Sequence, residues 1–472
     1  MAKVAMPDVV VLLPGIAGSV LVKDGKEVWA PAPGAVLSGL LSFGGSLKNL
    51  VVKDDDWQAA DLGDGVEATR LVDAAHIIPG LWKIDFYSEI ETFLLATFDL
   101  TPGMNYFPFP YDWRRDNRAS ATRLQRKCRE WLAGWRTRSG NPDAQLVLVC
   151  HSMGGLVARY FVEVLGGWRD TKAVVTFGTP FYGSLNAVDF LVNGFRKGLG
   201  PFNIDLSPLL RSMTSVHQLV PSYRCIYGPE GIATTPADAR MPQWKSAWNN
   251  ALVTFQKEME DAAKANRADP LFIAKPVVYQ PITGRDQPTR QSAVVVGGKV
   301  ELRFDRGGTD ESGDGIVPLL SSALAGTQQM RTFAPEQHSR LQPSIPLLNH
   351  LSGVIQALHT TRIEDLRRRV TSWFALDVDD VYLPGEPVSV RLRAISDLDF
   401  GTLPEVAATV AVQDKATGQQ VARRDVMVTR EPTEVVLGEP GPGSYLLTVT
   451  GPTGAAAVSD IFAVASPEEV EG

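Results

Sequence analysis

LVLVCHSMGGLVARYF, residues 146–161, passes from an unbroken apolar run through a short polar turn into an amphipathic segment. Consecutive apolar residues rich in valine suit a strand buried on both faces of a parallel sheet, whereas the residues after Gly154 and Gly155 recur at helical spacing. Ser152 stands alone at the junction. A hydroxyl at a helix start satisfies an orphan backbone N–H, so the plainest reading is a capping residue. A tight strand-to-helix turn would equally present its Oγ as a nucleophile. What else the chain supplies decides between them.

Working outward, residues 9–13 (VVVLL) form a second short apolar run, ended by PGIAGS. Residues 119–138 place Leu124, Cys128, Trp131, Leu132 and Trp135 on one helical stripe, with arginines toward water. A strand over 145–150, a helix to about 165 and a buried strand over 173–180 follow. Strands alternating with helices predict βαβ units and a mostly parallel sheet, an α/β fold. Residues 181–274 loosen into apolar, helix-like patches, expected to form an inserted cap. Sheet-like sequence returns at 276 and 293, and helix-like runs close a first domain over 1–375. The character then changes: Val388, Val390 and Leu392 alternate with Ser389, Arg391 and Arg393, as in a half-buried antiparallel strand. Further short strands separated by Gly/Pro turns predict a small immunoglobulin-like β-sandwich over 376–466, before an acidic tail at 467–472. Residues 33–52 are apolar and glycine-rich without clear period, as in a packed surface loop.

With 472 residues, 44% of them hydrophobic and 21% charged, the chain can bury one large core and a smaller one. The net charge of −7 has no long block of one sign behind it, and no basic stripe invites nucleic acid. Cys128, Cys150 and Cys225 are widely spaced, without a C-x-x-C or metal-ligand pattern. Free thiols and a reducing, cytoplasmic setting are expected. The N-terminal apolar run is broken by Pro14 and Gly15 too soon for a signal segment or membrane span.

A nucleophile elbow is written G-x-S-x-G because small neighbours let the backbone turn sharply. Here Cys150 takes the first glycine position, and a packed strand-end thiol is the expectation for it. An elbow serine needs an acid and then a histidine later in the chain. Asp314, in SGDGIVPLLSS, sits between two glycines before an apolar run. His338, in FAPEQHSRL, sits between a strand-like and a helix-like segment, whereas His350 and His359 fall inside the helix-like one. His338 is therefore the candidate base and Asp314 the candidate acid. Acyl chemistry also needs two N–H donors for an oxyanion. Met153 follows the nucleophile and supplies one; the loop after the first strand supplies the other, with Ala17 first and Ile16 second. The acids in DRGGTDESGDG miss the EF-hand spacing, so neither a metal nor a cofactor is expected. An Asp112 ion pair with Arg114 or Arg115 is expected to fix the YDWR loop.

Together, VVLLPGIAGS, FPYDWRR, CHSMGG, FGTPFYGS, GDGIVPLLSS and EQHSRL occur in the order that resembles the lecithin:cholesterol acyltransferase-like family of α/β hydrolases, phospholipases A and phospholipid:diacylglycerol acyltransferases among them. The resemblance spans the first domain. It implies the triad Ser152, Asp314 and His338, an oxyanion hole at Ala17 and Met153, a mobile lid over residues 33–52 as the alternative to a packed loop there, and a lipid-ester substrate met through peripheral membrane contact. Cys150 departs from that pattern, the cysteines that staple secreted relatives are missing, and the sandwich lies outside it. A protein partner for the sandwich, and a non-catalytic scaffold built on the same fold, are the alternatives carried forward.

Overall fold

In the computed structural model, the residues described are 3–30, 50–72, 76–78, 82–84, 87–199, 202–228, 230–360, 374–394, 405–429, 431–451 and 457–466. Most of the lid candidate, the helix-like run after Thr360 and the acidic tail lie outside them.

Six strands form the central sheet: β1 (Val9–Leu13), β2 (Tyr106–Pro108), β3 (Leu146–His151), β4 (Thr171–Phe177), β5 (Val278–Gly284) and β6 (Thr332–Ala334). Their order is β6-β5-β4-β3-β1-β2, and every neighbouring pair is parallel. All residues of β1 and β3 are buried, which is why both read as continuous apolar runs. The helices pack in two groups. Helix α2 (Asn117–Ser139) lies against α3 (Gly154–Glu163), which also meets α4 (Ser246–Ala268), while α1 (Tyr87–Thr97) pairs with α5 (Ile345–Thr360). Helix α2 buries Leu124, Cys128 and Leu132, starts on the Asp116 side chain and stops at Gly140 in the left-handed region.

The chain steps from β1 outward to β2, then returns to the other side of β1 to enter β3. This reversal opens a crevice beyond the carboxyl ends of β1 and β3, the place where open α/β sheets bind ligands. The loops after these two strands carry Gly15–Ile16–Ala17 and Ser152. The architecture is that of an α/β hydrolase, and the sequence between β4 and β5 forms further helices and short strands.

The segment after residue 293 does not join the parallel sheet. Ser292–Val296 and Lys299–Arg303 make a hairpin whose turn glycines, Gly297 and Gly298, have φ of 56° and 75°. It pairs with Ile226–Tyr227 in a separate four-stranded sheet, because successive positive-φ glycines favour a two-residue hairpin over a crossover.

Beyond residue 373, β7 (Phe374–Val378), β8 (Val388–Ala394) and β11 (Thr433–Gly438) form one antiparallel sheet. Strands β9 (Val406–Asp414), β10 (Gln420–Val428), β12 (Gly443–Thr450) and β13 (Val458–Val464), with Val381–Tyr382, form the other. The alternation of Val388, Val390 and Leu392 points these side chains into a core of their own between the two sheets. Phe374, inside the expected bound of the first domain at 375, opens the first strand of the sandwich and is fully buried in its core. Ala465 and Val381 reach back into the hydrolase core. Among the described residues no helix is long and apolar enough to cross a membrane.

Candidate active site

Strand β3 ends at His151, and the backbone then turns through Ser152 at φ 50°, a left-handed conformation that a serine adopts only under constraint. Its N–H donates to the Phe177 carbonyl at 2.8 Å, and its carbonyl accepts from Thr179 Oγ1 at 2.9 Å. Two glycines let the neighbouring loop close on this turn. A Cβ on Gly154 would lie 2.5 Å from the Pro14 carbonyl oxygen, and one on Gly15 would lie 2.9 Å from Ser152 Cβ. The loop after β1 is thereby seated directly on the elbow.

The sequence-predicted residues Ser152, Asp314 and His338 come together. His338 Nε2 is 2.9 Å from Ser152 Oγ, and its Nδ1 is 2.8 Å from Asp314 Oδ2. Asp314 reaches the end of β5 through a bridge to Gln287. Its Oδ1 accepts from Ile316 N at 3.0 Å and Val317 N at 2.7 Å, and its carbonyl accepts from His338 N at 2.8 Å. A carboxylate only accepts, so Nδ1 carries the hydrogen and Nε2 is left to accept from the serine hydroxyl. His350 and His359 lie apart: His350 Nε2 meets Thr332 Oγ1, and His359 faces Lys172 and Asp8.

The N–H groups of Ile16, Ala17 and Met153 have no acceptor among the described residues. Ala17 is held at φ 61° and is buried, and Met153 is the N-cap of α3, where the helix dipole is positive. Ile16 lines the cavity above Ser152.

A second hydrogen-bonded chain runs beneath the elbow. Gly15 N–H donates to Tyr87 Oη at 2.7 Å, Tyr87 Oη is 2.8 Å from His151 Nδ1, and His151 Nε2 is 3.3 Å from the His338 carbonyl. An N–H at one end and a C=O at the other fix every proton: Tyr87 donates to Nδ1, and Nε2–H donates to His338. Burial, with the nearby His338, holds His151 down at about 3, so it stays neutral as this chain requires. Nothing in the sequence around Tyr87 pointed to it.

The YDWR loop braces the same region. Arg114 makes a paired contact with Asp112 at 2.9 and 2.7 Å and another with Asp64 at 3.0 Å, as the motif suggested, while Arg115 pairs with Asp55. The aromatic residues do more. Tyr111 Oη donates to the Pro14 carbonyl at 2.8 Å and Trp113 Nε1 to the Ser19 carbonyl at 3.0 Å, fixing both ends of the loop that carries Ile16 and Ala17. Cys150 is fully buried, and burial pushes its thiol well above the ordinary range, leaving it unreactive. In the acidic loop, Glu311 pairs with Arg306 and Asp310 accepts from Gln291. Among the described residues no group of three or more His, Cys, Asp or Glu is gathered to hold a metal ion.

A cavity of about 370 Å³ opens above Ser152 and His338. Phe190, Val216, Leu219 and Ile316 supply apolar wall, and Phe304 stands at the rim, 54% exposed. The opposite wall was not expected from sequence: Asp377, Val378, Asp379, Asp380 and Asp460 belong to the sandwich.

Residues 63–262 match the family model described as lecithin:cholesterol acyltransferase, a span that contains YDWR and the Ser152 elbow but neither Asp314 nor His338. No curated protein matches the chain. Similar solved structures include the mature form of Bacillus licheniformis lipase BlEst2, with 16% identity, 74% of this chain and 96% of that one covered, and a TM-score of 0.30. Phospholipase PlaB from Legionella pneumophila has 11% identity, with 96% and 90% covered and a TM-score of 0.33.

Proposed function

With residues 63–262 carrying the lecithin:cholesterol acyltransferase family pattern, we propose that the protein is a serine-dependent acyl-ester hydrolase or O-acyltransferase acting on lipid esters. The observation that carries this reading is the unbroken line from Ser152 Oγ through His338 to Asp314, at 2.9 and 2.8 Å, on a strained elbow. His338 Nε2 takes the hydroxyl proton as Oγ attacks the ester carbonyl carbon. The oxyanion that forms accepts from Met153 N–H and from Ala17 or Ile16 N–H. His338 then returns its proton to the departing alcohol as the C–O bond breaks, leaving an acyl-serine. Water or an acceptor alcohol gives its proton to His338 as it attacks the acyl carbon, and His338 returns that proton to Ser152 Oγ as the acyl–Oγ bond breaks, freeing the serine.

The apolar wall formed by Phe190, Val216 and Leu219 suits an acyl chain, and exposed Phe304 at the rim suits peripheral contact with a lipid surface. Three buried, unpaired cysteines favour a reducing compartment, the cytoplasm. Incubation with a mixed lipid extract, with and without added alcohol, followed by mass spectrometry against Ser152→Ala, tests the reading. Free acid alone identifies a hydrolase, and acyl transfer to the alcohol a transferase. Products unchanged between wild type and Ser152→Ala would sink both.

A further inference from the structure

The turn that carries His338 is a single 3₁₀ turn, His338–Arg340, which has few hydrogen bonds of its own to fix its orientation. The hydrolase domain holds His338 itself, through Asp314 and His151. The residues on either side are held by the sandwich. Gln337 Nε2 donates to the Leu376 carbonyl in β7 at 2.6 Å. Ser459 in β13 donates to Glu336 Oε2 at 3.5 Å and accepts from Arg340 Nε at 3.4 Å. Positions two before, one before and two after the imidazole are thus tied to the second domain.

Gln287 joins these ties. Its side-chain oxygen accepts from Gln337 Nε2 at 3.1 Å and Leu376 N at 3.2 Å, its Nε2 donates to the Pro335 carbonyl at 2.9 Å, and its backbone N–H donates to Gly313 beside the acid. It is buried, as are Glu336, Arg340 and Ser459. Gln337 itself is half-buried and lines the cavity, while its partners are packed within; a network satisfied on several sides is a means of fixing geometry.

We propose that the C-terminal sandwich is a working part of the active site, with Gln337 and Ser459 as positioning residues that hold the His338 imidazole in line with Ser152. This inference rests on the triad reading above. The same edge of the sandwich walls the cavity with Val378 and Asp379, so substrate that reaches Ser152 passes along the domain that orients the base. An appended docking module would carry its functional face elsewhere; this one spends its β7 and β13 ends on the catalytic turn.

The test uses full-length protein. Gln337→Met keeps side-chain length and removes both donated bonds; Ser459→Ala removes the hydroxyl between Glu336 and Arg340, and Ser459→Thr restores it. Met427→Ala, on the outer face of β10, is the control. Readouts are the rate of Ser152 labelling by a fluorophosphonate, kcat and KM on a chromogenic ester, and the melting temperature. We expect labelling and kcat to fall about tenfold or more in Gln337→Met and Ser459→Ala, since small misplacements of a catalytic group cost that much, with KM within about twofold. Ser459→Thr recovers most of the rate, and Met427→Ala matches wild type. Should Gln337→Met and Ser459→Ala fold and label at the wild-type rate, the inference is overturned and the triad stands. Should wild type itself resist labelling, the triad reading fails and takes the inference with it.

Discussion

Asp314→Asn separates the orienting role of the acid from its structural one. Oδ1 of Asp314 accepts two backbone N–H bonds, from Ile316 and Val317, while Oδ2 faces His338 Nδ1. An asparagine must leave its carbonyl oxygen on the first side, because turning its NH₂ group there would set donors against two donors. The amide NH₂ therefore points at Nδ1 and donates to it. Nδ1 becomes the acceptor, the ring hydrogen moves to Nε2, and Nε2 faces Ser152 Oγ with a proton where it needs a lone pair. The histidine is trapped in the wrong tautomer. In a triad this lowers kcat about 10⁴-fold, or roughly 5 kcal/mol of transition-state stabilisation. Both backbone bonds survive, so the melting temperature should remain close to wild type, whereas Asp314→Ala should lower it. Pre-steady-state turnover of a chromogenic ester, paired with thermal denaturation, measures both. A folded Asp314→Asn protein within tenfold of wild-type kcat would refute the tautomer argument.

Three further outcomes follow from the same geometry. Gly154→Ala sets a Cβ 2.5 Å from the Pro14 oxygen, about half an ångström inside the closest tolerable approach, so the loop bearing Ile16 and Ala17 must back away; kcat should fall about a hundredfold with the triad distances kept, as kinetics and a crystal structure would report. Tyr87→Phe leaves the buried Gly15 N–H and His151 Nδ1 unpaired, and should destabilise the fold by about 1–3 kcal/mol in urea titrations while lowering kcat; a neutral result would remove the chain from consideration. His151 is held at about 3 in the folded protein against 6.5 in the unfolded chain, so between those values the unfolded state binds the extra proton. Stability attributable to His151 should therefore be intact above pH 6.5 and decline as pH falls toward 3, by up to about 1.4 kcal/mol per unit, and His151→Gln should flatten that part of the curve.

The parallel sheet was legible because β1, β3 and the Ala173–Val175 run of β4 are buried and apolar, and the sandwich because β8 is buried on one face and must alternate. Ser152, Asp314 and His338 could be picked out because an elbow serine restricts the order of its partners. The sheet-forming character of 292–303 was legible, but its pairing with 226–227 was not, because that partner strand is only two residues long. Tyr87 and Gln287 were invisible for a different reason: each acts through hydrogen bonds to residues remote in the chain, which leave no periodic trace. The sandwich wall of the cavity was unreadable because Asp377 and Asp460 look like ordinary solvated acids until two domains meet.

The directed chain Gly15, Tyr87, His151, His338 has an energetic corollary. It connects the loop that would receive the oxyanion to the residue that would move the proton, and its polarity permits a single arrangement of hydrogens. Substitutions on the two sides of the elbow should then fail to add: once either end is released, the other has already lost part of its restraint, and a second change costs less than it would alone. The non-additivity would belong to the pair of loops, and any attempt to graft the serine turn onto another sheet would have to carry the tyrosine with it.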